Sequence, residues 1–500
     1  MTIGLVILIV YTIALLIMAW YTGKDTEKTI KDYTTASSTL GIFVLTLTFS
    51  ATYHSAYAFM GAYGFCYNHG VGFWVNGIWT VYPGILLWYL GRRFWFMGKK
   101  YGYITLSEFL EDTYGSKYLA LLVTAISVIF TLPYITMQAI GVAYIFQTIS
   151  GNLVSFEVGT VLFLILMVLL VWLGGMKGVA WTDAAQGVFM FVGMVIGAYI
   201  VVKANFPTFA EGFKEALKIN PDLFSLPGAK GTMTNLDWIG RWTTITLGMM
   251  MYPHIILRFY AGKSLRILKW SAVSSAAYLT FIYIFTPAVG IIGNVIYPGF
   301  KNPDLIFPTM LMDYTPVVFA SIIIAGALAA SMSTGDSQLH ALSSIITIDV
   351  YRKYSPKATE IKQYYFAKSL IIIIGLISVI FALTQPGMLV DIITASTGGV
   401  VVIAPAVIGA LYWKGSTPLG AWASIVSGEV VLICCYLIEG ALFGIIPGLW
   451  AFMVAIVSFV VVSMFTKARP RTHEIINDLN GFFCGDEEQV SETKNLGLTN

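Results

Sequence analysis

The chain of 500 residues is 57% hydrophobic and only 11% charged, with a mean hydropathy of +0.78. An ordinary soluble domain carries about 25% charged residues, so a water-exposed globule is excluded and most of the surface must face hydrocarbon. The net charge of +3 is too small to indicate a nucleic-acid-binding protein. The cysteines show no metal-ligand or disulfide-framework spacing and are interpreted as packing residues. They are Cys66, Cys434, Cys435 and Cys484.

Long apolar runs are the main elements that the sequence predicts. A membrane-spanning helix needs roughly 20 mostly apolar residues, and thirteen runs meet this requirement. The first run lacks a basic n-region and a small-residue cleavage site, so we expect a retained helix rather than a signal peptide. The predicted fold is an all-α polytopic membrane protein. The thirteen runs lie near 2–21, 40–65, 72–91, 118–148, 154–174, 180–202, 238–258, 269–296, 316–340, 366–385, 388–412, 417–438 and 443–465.

The distribution of lysine and arginine predicts the orientation. Alternate loops and the tail carry 23 of these residues and the other loops carry 5, with Arg241 at a boundary. Cytoplasmic loops hold the excess, so we expect the N-terminus outside a plasma membrane and the tail of 467–500 in the cytoplasm. The tail is expected to be poorly ordered. The outside segment 203–237 holds Phe209, Phe213 and Leu217 at near-helical spacing, which predicts an amphipathic surface helix.

Hydroxyl-rich segments occur within two of the predicted spans. The second span is dense in threonine and serine between Thr46 and Ser55, which favours a locally unwound backbone. In the ninth span Ala330, Ser333 and Thr334 share one helix face. Neutral carbonyl and hydroxyl oxygens can hold Na⁺ without burial of a fixed carboxylate. Small and hydroxyl residues also let helices pack closely, and the spacing alone does not separate these readings.

Other polar residues in the spans have two readings each. Pro253 predicts a kink in the seventh span, which serves either packing or a site. Asp183 follows the tight turn Gly174–Gly178 and is interpreted as a helix cap at the membrane edge rather than as part of an ion path. His54, the only histidine deep in a span, is interpreted as a packing residue or, alternatively, as a proton carrier. Motifs of nucleotide-binding and hydrolytic enzymes are absent from the sequence, so no enzyme activity is predicted.

Three separated motifs begin at Gly174-Gly175, Tyr252-Pro253-His254 and Ser331-Met332-Ser333-Thr334. Together they resemble the sodium/solute symporter family. Residues 51–56, 61–64 and 302–309 are most similar to its branch that takes up pantothenate and short monocarboxylates. The resemblance implies a leucine-transporter-type core of five-plus-five inverted repeats, formed by spans two to eleven. The implied units are a first helix and loop (1–39), repeat one (40–204), an extracellular loop (205–237), repeat two (238–413), two flanking helices (414–466) and the tail (467–500).

The resemblance also implies the ligands of a coupling Na⁺ and the surroundings of the solute. The Na⁺ ligands would be the carbonyls of Ala51, His54 and Ala330 and the hydroxyls of Ser333 and Thr334. The solute would lie near Tyr53, Tyr57, Ala58, Gln138 and Met249. Tyr53 replaces a carboxylate of the proline branch, and Tyr57 and Ala58 lack the polar pair of the sugar branch.

The function that follows is sodium-coupled secondary active symport by alternating access. The expected partners are Na⁺, the lipid bilayer and a small organic solute, with a monocarboxylate or a pantothenate-like anion favoured. Two alternatives remain open at this point. One is a proton-coupled carrier, and the other is a sodium/amino-acid symporter of the proline type.

Overall fold

The computed structural model describes residues 2–24, 26–72, 77–228, 231, 233–385, 387–438 and 444–484. These residues are mainly helical, and the β-structure among them is an isolated bridge between Leu40 and Gly262. The helices are α1 (Thr2–Gly23), α2 (Ile30–Thr35), α3 (Ile42–Tyr53), α4 (Ala62–His69), α5 (Gly77–Tyr101), α6 (Leu106–Tyr114), α7 (Lys117–Ser150), α8 (Phe156–Asn205), α9 (Phe209–Ile219), α10 (Asn235–Met251), α11 (Pro253–Ala261), α12 (Leu265–Tyr283), α13 (Thr286–Ile296), α14 (Ile306–Tyr314), α15 (Val317–Ile345), α16 (Arg352–Tyr354), α17 (Glu360–Leu383), α18 (Leu389–Val400), α19 (Ala404–Tyr412), α20 (Pro418–Leu437), α21 (Pro447–Met464) and α22 (Pro470–Cys484).

Most of the predicted spans appear as long helices. In the described part of the chain, nine helical stretches are long and apolar enough to cross a membrane. The predicted spans 154–174 and 180–202 both fall within α8, which is interrupted at Gly175. The φ of +53° and ψ of −157° at Gly175 are non-helical and are accessible to glycine. The predicted turn between these two spans is therefore present.

Several predicted spans differ from one continuous helix with the predicted bounds. The span at 40–65 consists of α3, a π-helical turn (Tyr57–Gly61) and α4. The span at 238–258 divides into α10 and α11, and the span at 72–91 corresponds to α5, whose described part begins at Gly77. Hydroxyl density and proline predicted the breaks in 40–65 and 238–258. The spans at 269–296 and 388–412 are also divided, into α12 and α13 and into α18 and α19, at points that the sequence did not predict.

Helix α15 forms the centre of the molecule. It packs against α8, α7, α1 and α3, and every residue from Ile323 to Ile345 is buried. The outer helices α1, α17, α20 and α21 instead expose large apolar side chains, as expected of surfaces that contact lipid. The predicted sodium residues of α15 therefore lie deep inside the helical bundle.

The predicted amphipathic helix is present as α9. Of its predicted apolar residues, Phe209 and Phe213 pack partly buried against the core, and Leu217 does not. Leu217 is 49% exposed, whereas Gly212 and Ala216 are fully covered. The backbone at Gly212 approaches Ile292 so closely that a Cβ atom would lie 2.6 Å from it. The absence of a side chain at Gly212 thus leaves room for the side chain of Ile292 on α13.

The expectation of a poorly ordered tail is wrong for its first part. Residues Pro470–Cys484 form α22, and residues 485–500 lie outside the described residues. Ile475, Ile476 and Leu479 are fully buried at helical spacing. Arg471 pairs with Asp112 of α6 at 2.7 Å. This short apolar stripe, reinforced by ion pairs, is enough to fix the helix against α6 and α19.

The cysteines have different environments. Cys66 and Cys435 are buried, as packing residues would be, whereas Cys434 is exposed. All three carry free thiols. The side chain of Cys484 lies outside the described residues.

Candidate functional site

The first helix break lies immediately after α3. His54 has an extended backbone, with φ of −101° and ψ of 92°, so the helix ends at Tyr53. The amide of Ala56, just beyond the break, donates to Gln138 Oε1 at 2.9 Å. Ser55 Oγ accepts from the amide of Tyr57 at 3.2 Å. Side chains therefore satisfy backbone donors that the interrupted helix leaves without carbonyl partners.

Oxygen atoms of α15 face the carbonyls released by this break. Ser333 Oγ lies 3.2 Å from Ala51 O and 3.2 Å from Ala330 O. Thr334 Oγ1 lies 3.3 Å from Thr52 O and 3.4 Å from His54 O. The structure thus brings all five predicted sodium ligands together, and it adds the carbonyl of Thr52. All six residues are fully buried.

The spacing of these oxygens suits a cation of the size of Na⁺. An ion that binds oxygen at about 2.3–2.6 Å has adjacent octahedral ligands about 3.3–3.7 Å apart. The separations of 3.2–3.4 Å fall close to that range. Because the donor set is neutral, a bound monovalent ion would bring the only charge to this group of oxygens.

The ring of His54 has a separate, structural role. Its Nδ1 lies 2.7 Å from Ser50 O, an acceptor, so this nitrogen carries the proton. The ring stacks on Tyr283 with centroids 5.0 Å apart. These contacts agree with the interpretation of His54 as a packing residue that supplies a backbone carbonyl to the site.

The second break separates α10 from α11 at Tyr252, whose φ of −68° and ψ of 138° are extended. Pro253 then opens α11 at its first turn, where a missing N–H is tolerated. Tyr252 stacks on His254 at 5.2 Å and lies 5.3 Å from the ring of Tyr134. Both ring nitrogens of the buried His254 lack a hydrogen-bond partner among the described residues. Sequence reasoning identified the kink and the motif Tyr252-Pro253-His254, and it missed the ring of Tyr134 beside them.

The predicted solute residues are all buried around the two breaks. Tyr53, Tyr57, Ala58, Gln138 and Met249 are each 3% exposed or less. The hydroxyl of Tyr53 donates to Met250 Sδ at 3.4 Å. The amide of Gln138 donates to Tyr134 O at 3.0 Å while its oxygen holds the Ala56 amide. Gln138 therefore supports the break and has its principal groups engaged within the protein.

A buried ion pair lies one helical turn from the sodium residues, and it corrects the interpretation of Asp183. This residue is not a cap at the membrane edge, because it lies about two turns beyond Gly175 and is fully buried. Asp183 Oδ2 accepts from Arg258 Nη2 at 2.8 Å and from Thr48 Oγ1 at 2.5 Å. Ser337 of α15 contributes a further hydroxyl at 3.3 Å.

The arginine of this pair is held from several sides. Arg258 Nε donates to Thr48 Oγ1 at 2.9 Å, and Nη1 donates to His254 O at 2.6 Å. Arg258 Nη2 also donates to Ser337 Oγ. The network therefore joins α3, α8, α11 and α15. Charged residues inside membrane spans require a neutralising partner. The presence of Asp183 and Arg258 in two predicted spans was therefore the signal in the sequence that could have indicated this pair.

Comparison with known proteins places the chain in a family. The model of the sodium:solute symporter family matches residues 33–428. The chain belongs to this family. The sodium/pantothenate symporter of Haemophilus influenzae is 26% identical over 413 residues, which cover 82% of this chain and 84% of the relative. The osmoregulated proline transporter OpuE of Bacillus subtilis is 26% identical over 474 residues, which cover 92% and 94%.

A solved structure confirms the fold. A Na⁺-coupled sialic acid symporter in a substrate-bound, outward-open state matches with a TM-score of 0.78 at 19% identity, over 93% of this chain and 99% of that one. The predicted leucine-transporter-type architecture is therefore confirmed. Family membership makes the chain a multi-pass membrane transporter and implies Na⁺-coupled movement of a small solute.

Proposed function

We propose that this chain imports a small organic anion, a monocarboxylate or a pantothenate-like acid, together with Na⁺ by alternating access. The observation that carries the proposal is the group of buried neutral oxygens shared by the break after α3 and the face of α15. The proposed ligands are the carbonyls of Ala51, His54 and Ala330 and the hydroxyls of Ser333 and Thr334. A cation bound there would join the two elements and so link its own binding to the arrangement of the helices.

The driving force follows from the charge moved. Each Na⁺ that enters down about 100 mV of potential releases about 2.3 kcal/mol, and a tenfold concentration gradient adds about 1.4 kcal/mol. A monoanion that enters with one Na⁺ carries no net charge and gains only the concentration term. Strong accumulation of an anion would therefore require more than one Na⁺ per solute.

The surroundings of the two breaks favour a negatively charged solute. The proposed solute residues Tyr53, Tyr57, Ala58, Gln138 and Met249 include no carboxylate that could pair with an ammonium group. The N-terminal end of α11, at the second break, adds positive potential. The likeness to pantothenate symporters supports the same choice, whereas the likeness to proline transporters keeps a zwitterion as the competing solute.

Competition between matched solutes tests the charge. We expect a short carboxylic acid to inhibit uptake of the best substrate at least tenfold more strongly than its amide, because the amide lacks the charge that the site would compensate. The matching amino acid should be intermediate or inactive. Uptake into vesicles under a fixed Na⁺ gradient provides the measurement. Equal inhibition by the acid and the amide would show that the site does not recognise negative charge.

Labelling of single cysteines tests the orientation that import requires. A cysteine at Asn220, which follows α9, should react with an impermeant reagent in intact cells, because the outside loops are poor in lysine and arginine. A cysteine at the exposed Lys357 should react only after permeabilisation. Both variants are made with Cys434 and Cys484 replaced by serine, to lower the background. The reverse pattern would contradict the charge argument.

A further inference from the structure

Apart from the transport site, a cavity of about 160 Å³ lies between α2, the end of α5 and the end of α11. It is on the face that the distribution of lysine and arginine predicts to be cytoplasmic. Two cationic side chains, Lys31 and Lys99, line it together with the phenol of Tyr260. Two cations and a hydroxyl, on three separate elements, would thus converge on any group that enters the cavity.

The positive charge of the cavity is not compensated by the acids nearby. Lys31 and Lys99 have no carboxylate partner within ion-pair distance among the described residues. Asp32, the neighbour of Lys31, is already paired with Lys177 at 3.1 Å and accepts from Ser37 Oγ at 2.7 Å. Partial burial and the charge of Lys31 lower the pKa of Lys99. Two ammonium groups therefore repel one another across the cavity.

A second acidic neighbour is also engaged. Glu108, which lies close enough to influence Tyr260 electrostatically, pairs with Arg352 and accepts from the amide of Ile104 at 2.8 Å. The carboxylate of Glu108 is therefore engaged by Arg352 of α16 and by the backbone that precedes α6. Asp349, whose charge also reaches Tyr260, accepts from the hydroxyls of Thr105 and Thr124. Asp32, Glu108 and Asp349 thus all have partners within the protein, and neither lysine of the cavity is among those partners.

A buried donor at the cavity wall has no partner. Tyr260 is 4% exposed, yet its hydroxyl forms no hydrogen bond with any described residue. A buried polar group without a partner costs free energy unless a ligand or water satisfies it. The other polar groups of the wall are occupied within the protein: Trp95 Nε1 donates to Gly262 O at 2.8 Å, and Ser38 Oγ donates to Tyr260 O at 2.6 Å.

The rim of the cavity has an unusual backbone. Ala36, Ser37 and Ser38 are consecutive non-glycine residues with φ of 48°, 49° and 57°. Such conformations persist only where surrounding structure holds them, and they cluster at ligand sites. Here the pairing of Leu40 with Ala261 and Gly262 fixes the segment to the end of α11. The cavity is therefore walled by a segment held in place by its neighbours.

We propose that this cavity binds a phosphate group, held by Lys31, Lys99 and Tyr260. Phosphate oxygens accept charge-assisted hydrogen bonds from ammonium groups, and a phosphate monoester carries close to the two negative charges that two lysines neutralise. Basic pockets on the cytoplasmic side of membrane proteins are suited to anionic lipid headgroups. A phospholipid headgroup and a free phosphate share this chemistry.

Binding to the purified full chain in phosphatidylcholine nanodiscs tests the site. Calorimetry would measure the binding of inorganic phosphate. Native mass spectrometry would measure the retention of phosphatidic acid added to the nanodiscs. The double variant Lys31→Gln, Lys99→Gln should weaken binding at least tenfold, and Tyr260→Phe about threefold. Lys357→Gln, Lys362→Gln is the control, because it removes two charges from the same predicted face and neither residue lines the cavity.

Each result decides for or against the site. Binding of phosphatidic acid alone, lost in the cavity variants, would assign the site to a lipid headgroup, and binding of inorganic phosphate as well would assign it to free phosphate groups. Equal losses in the control variant would show general surface attraction and overturn the proposal. Absence of binding by the unaltered protein to both probes would also overturn it. Tyr260→Phe changes one atom, so its result does not depend on whether the lysine variants fold.

Discussion

Replacement of both Ser333 and Thr334 by alanine should lower the apparent Na⁺ affinity of transport by about a hundredfold. Each hydroxyl approaches two carbonyls of the proposed site. Loss of one such ligand costs about 1–3 kcal/mol, and about 1.4 kcal/mol corresponds to a tenfold change. The single variants should each shift the affinity about tenfold. Initial rates of solute uptake over a range of Na⁺ concentrations provide the measurement.

Ser331→Ala is the matched control for these variants. Ser331 is equally buried on α15, but its hydroxyl donates to Ala327 O of its own helix at 3.1 Å. Its loss should leave the Na⁺ dependence within about twofold of the unaltered protein, because no proposed ligand is removed. Unchanged Na⁺ dependence in the Ser333, Thr334 double variant, with normal insertion, would contradict the proposed site.

Hydropathy predicted the helices well because each span repeats the same signal over about 20 residues. The breaks were also visible in the sequence, since Pro253 and the hydroxyls around Thr52 are unfavourable in an uninterrupted apolar helix. The interruption of α8 at Gly175 was predicted from the glycine pair Gly174-Gly175. These features are local, so they can be read from short stretches of the chain.

The oxygens of the candidate sodium site were only partly accessible from the sequence. Ser333 and Thr334 fall on one face with Ala330, which the helical period predicts. The carbonyl of Thr52 was missed because backbone oxygens carry no signature in the sequence. Which of them are free depends on where α3 ends, and that point is set by the extended conformation of His54.

Long-range pairing explains why Asp183 was wrongly interpreted as a helix cap at the membrane edge. Asp183 and Arg258 are 75 positions apart, and each lies near an end of its predicted apolar run. Each one alone was therefore compatible with a position at the membrane surface. Only the packing of α8 against α3 and α15 places both groups inside the bundle, and such packing is not contained in the local pattern of either helix.

Removal of one partner of this pair should be far more damaging than removal of both. Asp183→Asn would leave Arg258 charged and buried, and Arg258→Met would leave Asp183 as a buried carboxylate beside Asp336. Breaking a buried pair by removal of one partner costs about 3–5 kcal/mol, whereas replacement of the whole pair is often close to neutral. We therefore expect both single variants to accumulate poorly and to unfold at lower temperature, and the double variant to recover most of the loss.

Asp336→Asn is the control for this comparison. Asp336 is fully buried near the pair, but the ion pair of Arg258 within the described residues is with Asp183, and Asp336 accepts only from Ser337 at 3.4 Å. The same chemical change at this position removes a carboxylate without stranding the arginine, so stability should stay close to that of the unaltered protein. Thermal unfolding of the four variants in detergent gives the comparison as a double-mutant cycle. If the losses of the two single variants add in the double variant, Asp183 and Arg258 do not compensate each other and the pair does not hold these helices together.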